Sequence, residues 1–323
     1  MAKTNRAEAA LKRDQMRNMV VETIIKQMES GDTSWLRPWT KSGGSEMPIS
    51  NVGRSYRGIN VWGLWANASQ NGWGNEWGTF ASWKKAGEAH ANSIGSDEYF
   101  GVQKGMKSTP VFFYKMLKIK DKDNEDEEKM IPLLKWFYVF NRNQTNLPDR
   151  VYAEDETHEV TEEAAELEAL ALYDKHNVDL RYGGGRAFYR VSTDHIQMPH
   201  REYFRDSTGF TATLLHELTH WTGHPTRLNR DLGKSFGGND YAFEELIAEM
   251  GAAMVCAEVG VDNDHLMIDN HAAYVTSWLK GLKTDGGAQA LWRAAAHAQK
   301  AADWILGTGY DGGEDKKEDE KNE

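Results

Sequence analysis

The chain has 323 residues, one cysteine and a formal net charge of −11 at pH 7. A single cysteine excludes an intrachain disulfide framework, and no apolar run reaches transmembrane length or forms the core of a leader, so a cytoplasmic protein with no membrane partner is expected. The length favours two domains, and the charge divides with it: residues 1–150 carry 22 Lys+Arg against 17 Asp+Glu, the remainder 16 against 32.

The chain opens on an amphipathic helix, with Leu11, Met16, Met19, Val20, Ile24, Ile25 and Met28 at helical intervals and Gly31-Asp32 to end it. Eight of the 12 tryptophans then fall within residues 1–150, interleaved with Arg54, Arg57, Lys84, Lys85, Lys104 and Lys107. Aromatic faces stack bases and cations neutralise phosphates, so this half reads as a single-stranded nucleic-acid surface, although about half of the tryptophans are expected in the core. The candidate contacts are Trp39, Arg54, Tyr56, Arg57, Asn60, Trp77, Lys84, Lys104 and Lys107. Residues 102–114 read as a basic turn leading into a strand, with Trp136–Phe140 as its partner across an acidic run, residues 121–129, that holds 6 acidic and 2 basic residues. An α+β domain follows.

After a polar linker, Glu162–Lys175 is predicted helical, Gly183-Gly-Gly185 punctuates, and two short strands follow at 187–191 and 195–198. The strand just ahead of the next helix is expected to be the sheet edge that pairs with an extended substrate. That helix carries His216-Glu217-Leu218-Thr219-His220, the HExxH pattern of zinc hydrolases. Histidines four apart share a helix face and can bind one ion, leaving the glutamate beside an open coordination position. Such a pentapeptide arises by chance in roughly a few per cent of chains this long. The flanks argue against chance: Phe210, Leu214, Leu215 and Leu218 keep helical spacing, Asp206, Ser207 or Thr208 can cap the start, and Gly223 and Pro225 stop the helix.

A third ligand is needed. Position 226, where a longer histidine pattern would place it, is Thr, and His224 falls past the helix end. The next helix, capped by Asp240, offers Glu244, Glu245 and Glu249 within an apolar, Ala-rich segment. Carboxylates near a helix start can be no more than a solvated face. Glu245 and Glu249 lie one turn apart, which lets one ligate and the other orient a histidine; Glu245 is assigned as ligand and Glu249 as its support. Cys256 reads as core. Two final helices, 272–282 and 288–305, and an acidic, apolar-free stretch after 311, read as disordered, complete the chain.

Taken together, Trp39, Tyr56-Arg-Gly-Ile-Asn60, Trp77-Gly-Thr-Phe80, Lys104-Gly-Met-Lys-Ser-Thr-Pro110, Phe140-Asn-Arg-Asn-Gln144, Ala187-Phe-Tyr189, Asp194-His-Ile196, the HExxH helix and Glu244–Glu249 resemble the ArdC family of antirestriction proteins. The acidic 121–129 run and acidic tail depart from that pattern. The resemblance implies an α+β single-stranded DNA-binding domain (1–150), a linker (151–162), a mainly helical zincin-like metallopeptidase domain (163–308) and an acidic tail (309–323). It also implies protection of entering plasmid or phage DNA from host restriction. The residues then imply Zn²⁺, or another divalent ion such as Mn²⁺, on His216, His220 and Glu245, with Glu217 as general base and a protein substrate; a monomer is expected. The alternative is a DNA-coating or replication-associated protein whose metal site only holds the fold.

Overall fold

The computed structural model describes residues 2–29, 47–120, 128–148, 161–232, 239–261, 282 and 286–308. Trp39, the acidic residues 121–127, most of the expected linker, all but residue 282 of the helix expected at 272–282, and the tail lie outside them.

The amino-terminal half begins with helix α1 (Ala2–Glu29), followed by β1 (Ile49–Ser50), α2 (Ile59–Asn71), β2 (Glu76–Gly78), α3 (Phe80–Ile94), β3 (Thr109–Lys120) and β4 (Glu128–Asn141). The four strands form one sheet in the order β1-β2-β4-β3, with β3 and β4 a long antiparallel ribbon from Thr109↔Val139 to Lys120↔Glu128. Local chemistry sets the helix ends. Thr79 accepts a hydrogen bond from Ser82 N–H to open α3, and Gly72 and Gly95 close α2 and α3 in the left-handed conformation.

The carboxyl-terminal half runs α4 (Glu162–Lys175), β5 (Asp179–Tyr182), β6 (Phe188–Arg190), β7 (His195–Met198), α5 (Ser207–Trp221), α6 (Asn239–Val259) and α7 (Gly287–Leu306). β5 was not anticipated from the sequence; it is short and carries a charged residue at each of its odd positions. The sheet order β5-β7-β6 corrects a second expectation: β7, the strand just ahead of the HExxH helix, is central, and β5 and β6 are the edges. β7 is bordered on both sides because the chain returns across β5 and β6, a pairing that sequence order alone does not encode. α6 begins at Asn239, one residue before the expected cap Asp240.

One apolar cluster links the halves. Val20, Val21 and Ile24 of α1 meet Trp62 and Trp65 of α2, and the cluster continues through Phe112 into α5, α6 and α7. Two polar contacts and a ring contact cross the same boundary: Arg57 pairs with Asp303, Gly58 N–H donates to Gln299 at 2.8 Å, and Phe112 sets its ring edge-on to Trp292 at 4.7 Å. Cys256 is fully buried in this core, as its apolar neighbours indicated. Among the described residues no helix is long and apolar enough to cross a membrane.

Candidate metal centre and nucleic-acid face

α5 starts where Asp206 accepts a hydrogen bond from Gly209 N–H at 2.8 Å, and Phe210, Leu214, Leu215 and Leu218 bury it on several sides. His216 and His220 project from one face, and their Nε2 atoms stand 3.1 Å apart. α6 supplies Glu245, whose carboxylate oxygens lie 3.6 Å from His216 Nε2 and 3.5 Å from His220 Nε2. A tetrahedral ion with bonds of about 2.0–2.1 Å has ligand-to-ligand edges of about 3.3 Å, so this triangle fits a divalent ion. These three form the metal-capable group among the described residues.

The approach of α6 to α5 depends on Gly251. A Cβ there would stand 2.6 Å from Thr219 Cγ2, against an ordinary carbon contact of about 3.5–4.0 Å. Thr219 is fully buried and its hydroxyl donates to Leu215 O at 2.8 Å, so it has little room to yield. Glycine at this crossing lets Glu245 reach the histidine pair.

Both histidines are oriented from behind. Glu249 Oε1 lies 3.3 Å from His216 Nδ1. Glu244 Oε1 lies 3.2 Å from His220 Nδ1, a role the sequence reading did not assign. Such carboxylates fix the ring and its tautomer, leaving Nε2 for the ion. Glu244 is itself held by Arg230, which donates to it at 2.7 and 3.0 Å and also to Thr219 O and Thr222 Oγ1, each at 2.7 Å. The pair is almost wholly buried, so each charge compensates the other. A third carboxylate in the apolar stripe of α6 was the available signal; its cation lies in the connecting segment, which carries no periodicity.

The electrostatics suit a cation. Burial alone would lower the pKa of both histidines and raise that of Glu245, but their mutual contacts prevail. His220 is pushed up to about 9 by Glu244 and Glu245, His216 is held above its usual value mainly by Glu249, and Glu245 falls well below the usual carboxylate range. Glu217, outside the ligand triangle, is buried, which raises its pKa, and it accepts a hydrogen bond from the backbone of Tyr189 on β6. β6 is steadied there: Tyr189 OH donates to Asp194 at 2.8 Å, and Arg227 bonds Asp194 while lying 3.6 Å over the Trp221 ring. Tyr189 is thus engaged by Asp194, and beyond the end of α5 His224 Nδ1 contacts Thr226 Oγ1 at 2.8 Å.

The expected DNA contacts divide. Arg54, Lys84, Lys104 and Lys107 are exposed, with Lys84 3.6 Å from Glu88 on the next turn. Trp77 is corrected: it has no exposed surface, being packed with Leu64, Val111 and Val139, and cannot present a face to a base. Trp62, Trp65 and Trp83 are likewise buried. Asn60 and Arg57 are engaged within the protein. The Asn60 amide donates to Phe112 O and accepts from Phe112 N–H, both at 2.7 Å, closing the free edge of β3, while Arg57 holds Asp303. Tyr56 is half-buried against the small cluster around Trp77, and that burial raises its pKa.

Fold and site together define a two-domain protein whose second half is a zincin-like metallopeptidase domain. Residues 165–297 match the family described as zincin-like metallopeptidase, and residues 14–140 the N-terminal domain of anti-restriction factor ArdC. The chain belongs to the ArdC family of antirestriction proteins. The crystal structure of the metal-free antirestriction ArdC protein from plasmid R388 is 36% identical with a TM-score of 0.69, over 90% of this chain and 96% of that one; its Mn(II)-bound form is 34% identical with a TM-score of 0.68. The uncharacterized protein y4eC of Sinorhizobium fredii is 35% identical over 88% of this chain and 90% of its own length. A DNA primase TraC of Escherichia coli is 33% identical over 89% of this chain, which spans only 26% of that relative. The zincin-like domain implies a divalent metal.

Proposed function

We propose that this protein binds single-stranded DNA through its amino-terminal half and hydrolyses a peptide bond at the His216–His220–Glu245 site, protecting entering DNA from host restriction. The observation that carries the enzymatic part is the convergence of two Nε2 atoms 3.1 Å apart with the Glu245 carboxylate, one oxygen 3.6 Å from His216 and the other 3.5 Å from His220, while Glu217 stays outside that group on its own backbone hydrogen bond. A closed structural site would enlist a fourth protein ligand. Single-strand binding is supported by the exposed lysines, the charge division of the chain and the relationship to ArdC and to a DNA primase.

A divalent ion bound there, expected to be zinc, would polarise the scissile carbonyl and acidify the attacking water. The chain's own groups do the rest. Glu217, with its pKa raised by burial, takes the water proton on its carboxylate and returns it to the departing amine. Glu244 and Glu249 hold the imidazoles in the tautomer that aims Nε2 inward. The edge strand β6, whose backbone already reaches Glu217, is placed to align an extended peptide.

Glu217→Gln tests the reading. Metal content and melting temperature are expected to be retained, peptidase activity to fall about 10²–10⁴-fold, and single-strand binding to persist. Loss of the metal in this variant refutes the assignment of Glu217 as base. Antirestriction at wild-type level in the same variant, scored by transfer of unmodified plasmid into a restricting host, favours the DNA-coating alternative.

A further inference from the structure

We infer that the cleft between the start of α3 and the 102–106 turn is a pocket for unstacked nucleobases of single-stranded DNA, with Phe80 and Tyr99 as stacking faces and Lys104 at the phosphates. This rests on the single-strand reading above and gives it a location. Trp62, Trp65, Trp77 and Trp83 are buried and cannot serve as platforms, which turns attention to rings that are exposed. Phe80 and Tyr99 are 51% and 53% exposed, and Met106 beside them is 40% exposed. Together with Phe140 they line a cleft of about 800 Å³ that also takes in Lys104 and Asn146. That volume lies within the range of small-molecule sites.

The walls are fixed before any ligand arrives. Phe80 is the first residue of a helix capped by Thr79, and its ring meets Phe140 at 6.3 Å and 66°. Tyr99 is pinned at its hydroxyl, which donates to Val102 O at 3.2 Å. Asn146 staples the opposite wall, accepting from Gly101 N–H and donating to Tyr99 O, each at 2.8 Å. The turn that carries Lys104 and Lys107 is tied down by Gln144 Nε2, which donates to Lys107 O at 2.8 Å. Gly105, at φ +89, forms its tip, where a side chain would be strained though nothing crowds it.

A rigid, exposed apolar cleft bordered by lysine fits a ligand that is flat, apolar on its faces and anionic along its length. An unstacked strand has these properties, whereas a duplex hides its base faces. Asp97 and Glu98 immediately precede Tyr99 and are exposed, so the phosphates run on the Lys104–Lys107 side.

The test uses the full chain loaded with metal and fluorescein-labelled oligo(dT), read by anisotropy over a series of salt concentrations. Phe80→Ala and Tyr99→Ala are each expected to weaken binding about 5- to 100-fold with an unchanged salt slope, and Phe80→Trp to bind like wild type. Lys104→Ala is expected to reduce the salt slope by about 0.7. In the wild-type protein, an oligonucleotide carrying 5-iododeoxyuridine should photocrosslink to Phe80, Tyr99 or Met106, a readout that needs no variant to fold. Wild-type affinity in both alanine variants, or crosslinks confined to other surfaces, overturns the pocket and leaves the single-strand reading standing. Absence of wild-type binding at low salt overturns both.

Discussion

Gly251→Ala adds a single methyl group at the crossing of α5 and α6. The new Cβ would lie 2.6 Å from Thr219 Cγ2, about 1 Å inside normal contact, and Thr219 is enclosed on all sides. Overpacking of this kind costs about 1–3 kcal/mol, offset by about 1 kcal/mol of helix propensity gained over glycine, so the net loss is expected at about 0–2 kcal/mol. The larger effect falls on the metal. Relieving the clash moves Glu245 away from two Nε2 atoms that it now approaches at 3.5 and 3.6 Å, and metal sites tolerate only about 0.5 Å of such displacement. A chelator-competition titration should therefore show affinity at least about tenfold weaker, with only a small change in the metal-free melting temperature. Thr219→Ser removes Cγ2 and keeps the hydroxyl bond to Leu215 O, so the double variant should recover most of the affinity. Unchanged affinity in Gly251→Ala, or no recovery in the double variant, would refute the close-approach argument.

Arg230→Met and Glu244→Gln are expected to weaken metal binding about 10- to 100-fold, and Arg230→Met to destabilise the fold by about 3–5 kcal/mol because it leaves Glu244 charged and buried; calorimetry and thermal melts check both. In the metal-free protein the folded pKa of His220, about 9, exceeds its unfolded value of 6.5, so the stability it contributes is full below pH 6.5 and is lost as pH rises through 9. Metal needs the neutral ring, so affinity should climb over the same interval with protons released on binding, which titration in buffers of different ionisation enthalpy measures; pH-independent affinity between 6.5 and 9 contradicts this. Asn60→Ala removes both hydrogen bonds to Phe112 and should cost about 1–3 kcal/mol in denaturant melts while leaving oligo(dT) affinity within about twofold; a large affinity loss in a stable variant would restore Asn60 as a DNA contact.

The candidate metal centre was largely legible because its information is local. Spacing of four residues puts His216 and His220 on one helix face, Asp206 caps that helix, and acidic residues within the apolar stripe of α6 mark a buried charge that needs a partner. Residue type is much less informative about the amino-terminal half. Trp77 and Phe80 sit three residues apart in one motif, yet Trp77 is enclosed by α2 and the sheet while Phe80 lies half open at a helix start. Which ring is covered depends on elements far away in the chain, and periodicity does not register them. The same reason hid the role of Glu244, which depends on Arg230 from the preceding segment, and the central position of β7, which depends on two strands pairing around it. The sequence by itself determined that two metal-capable histidines share one helix face in the second half, because ligand spacing on a helix is a property of the backbone; only the tertiary structure decided which side chains face solvent, because burial is a property of whatever packs against them.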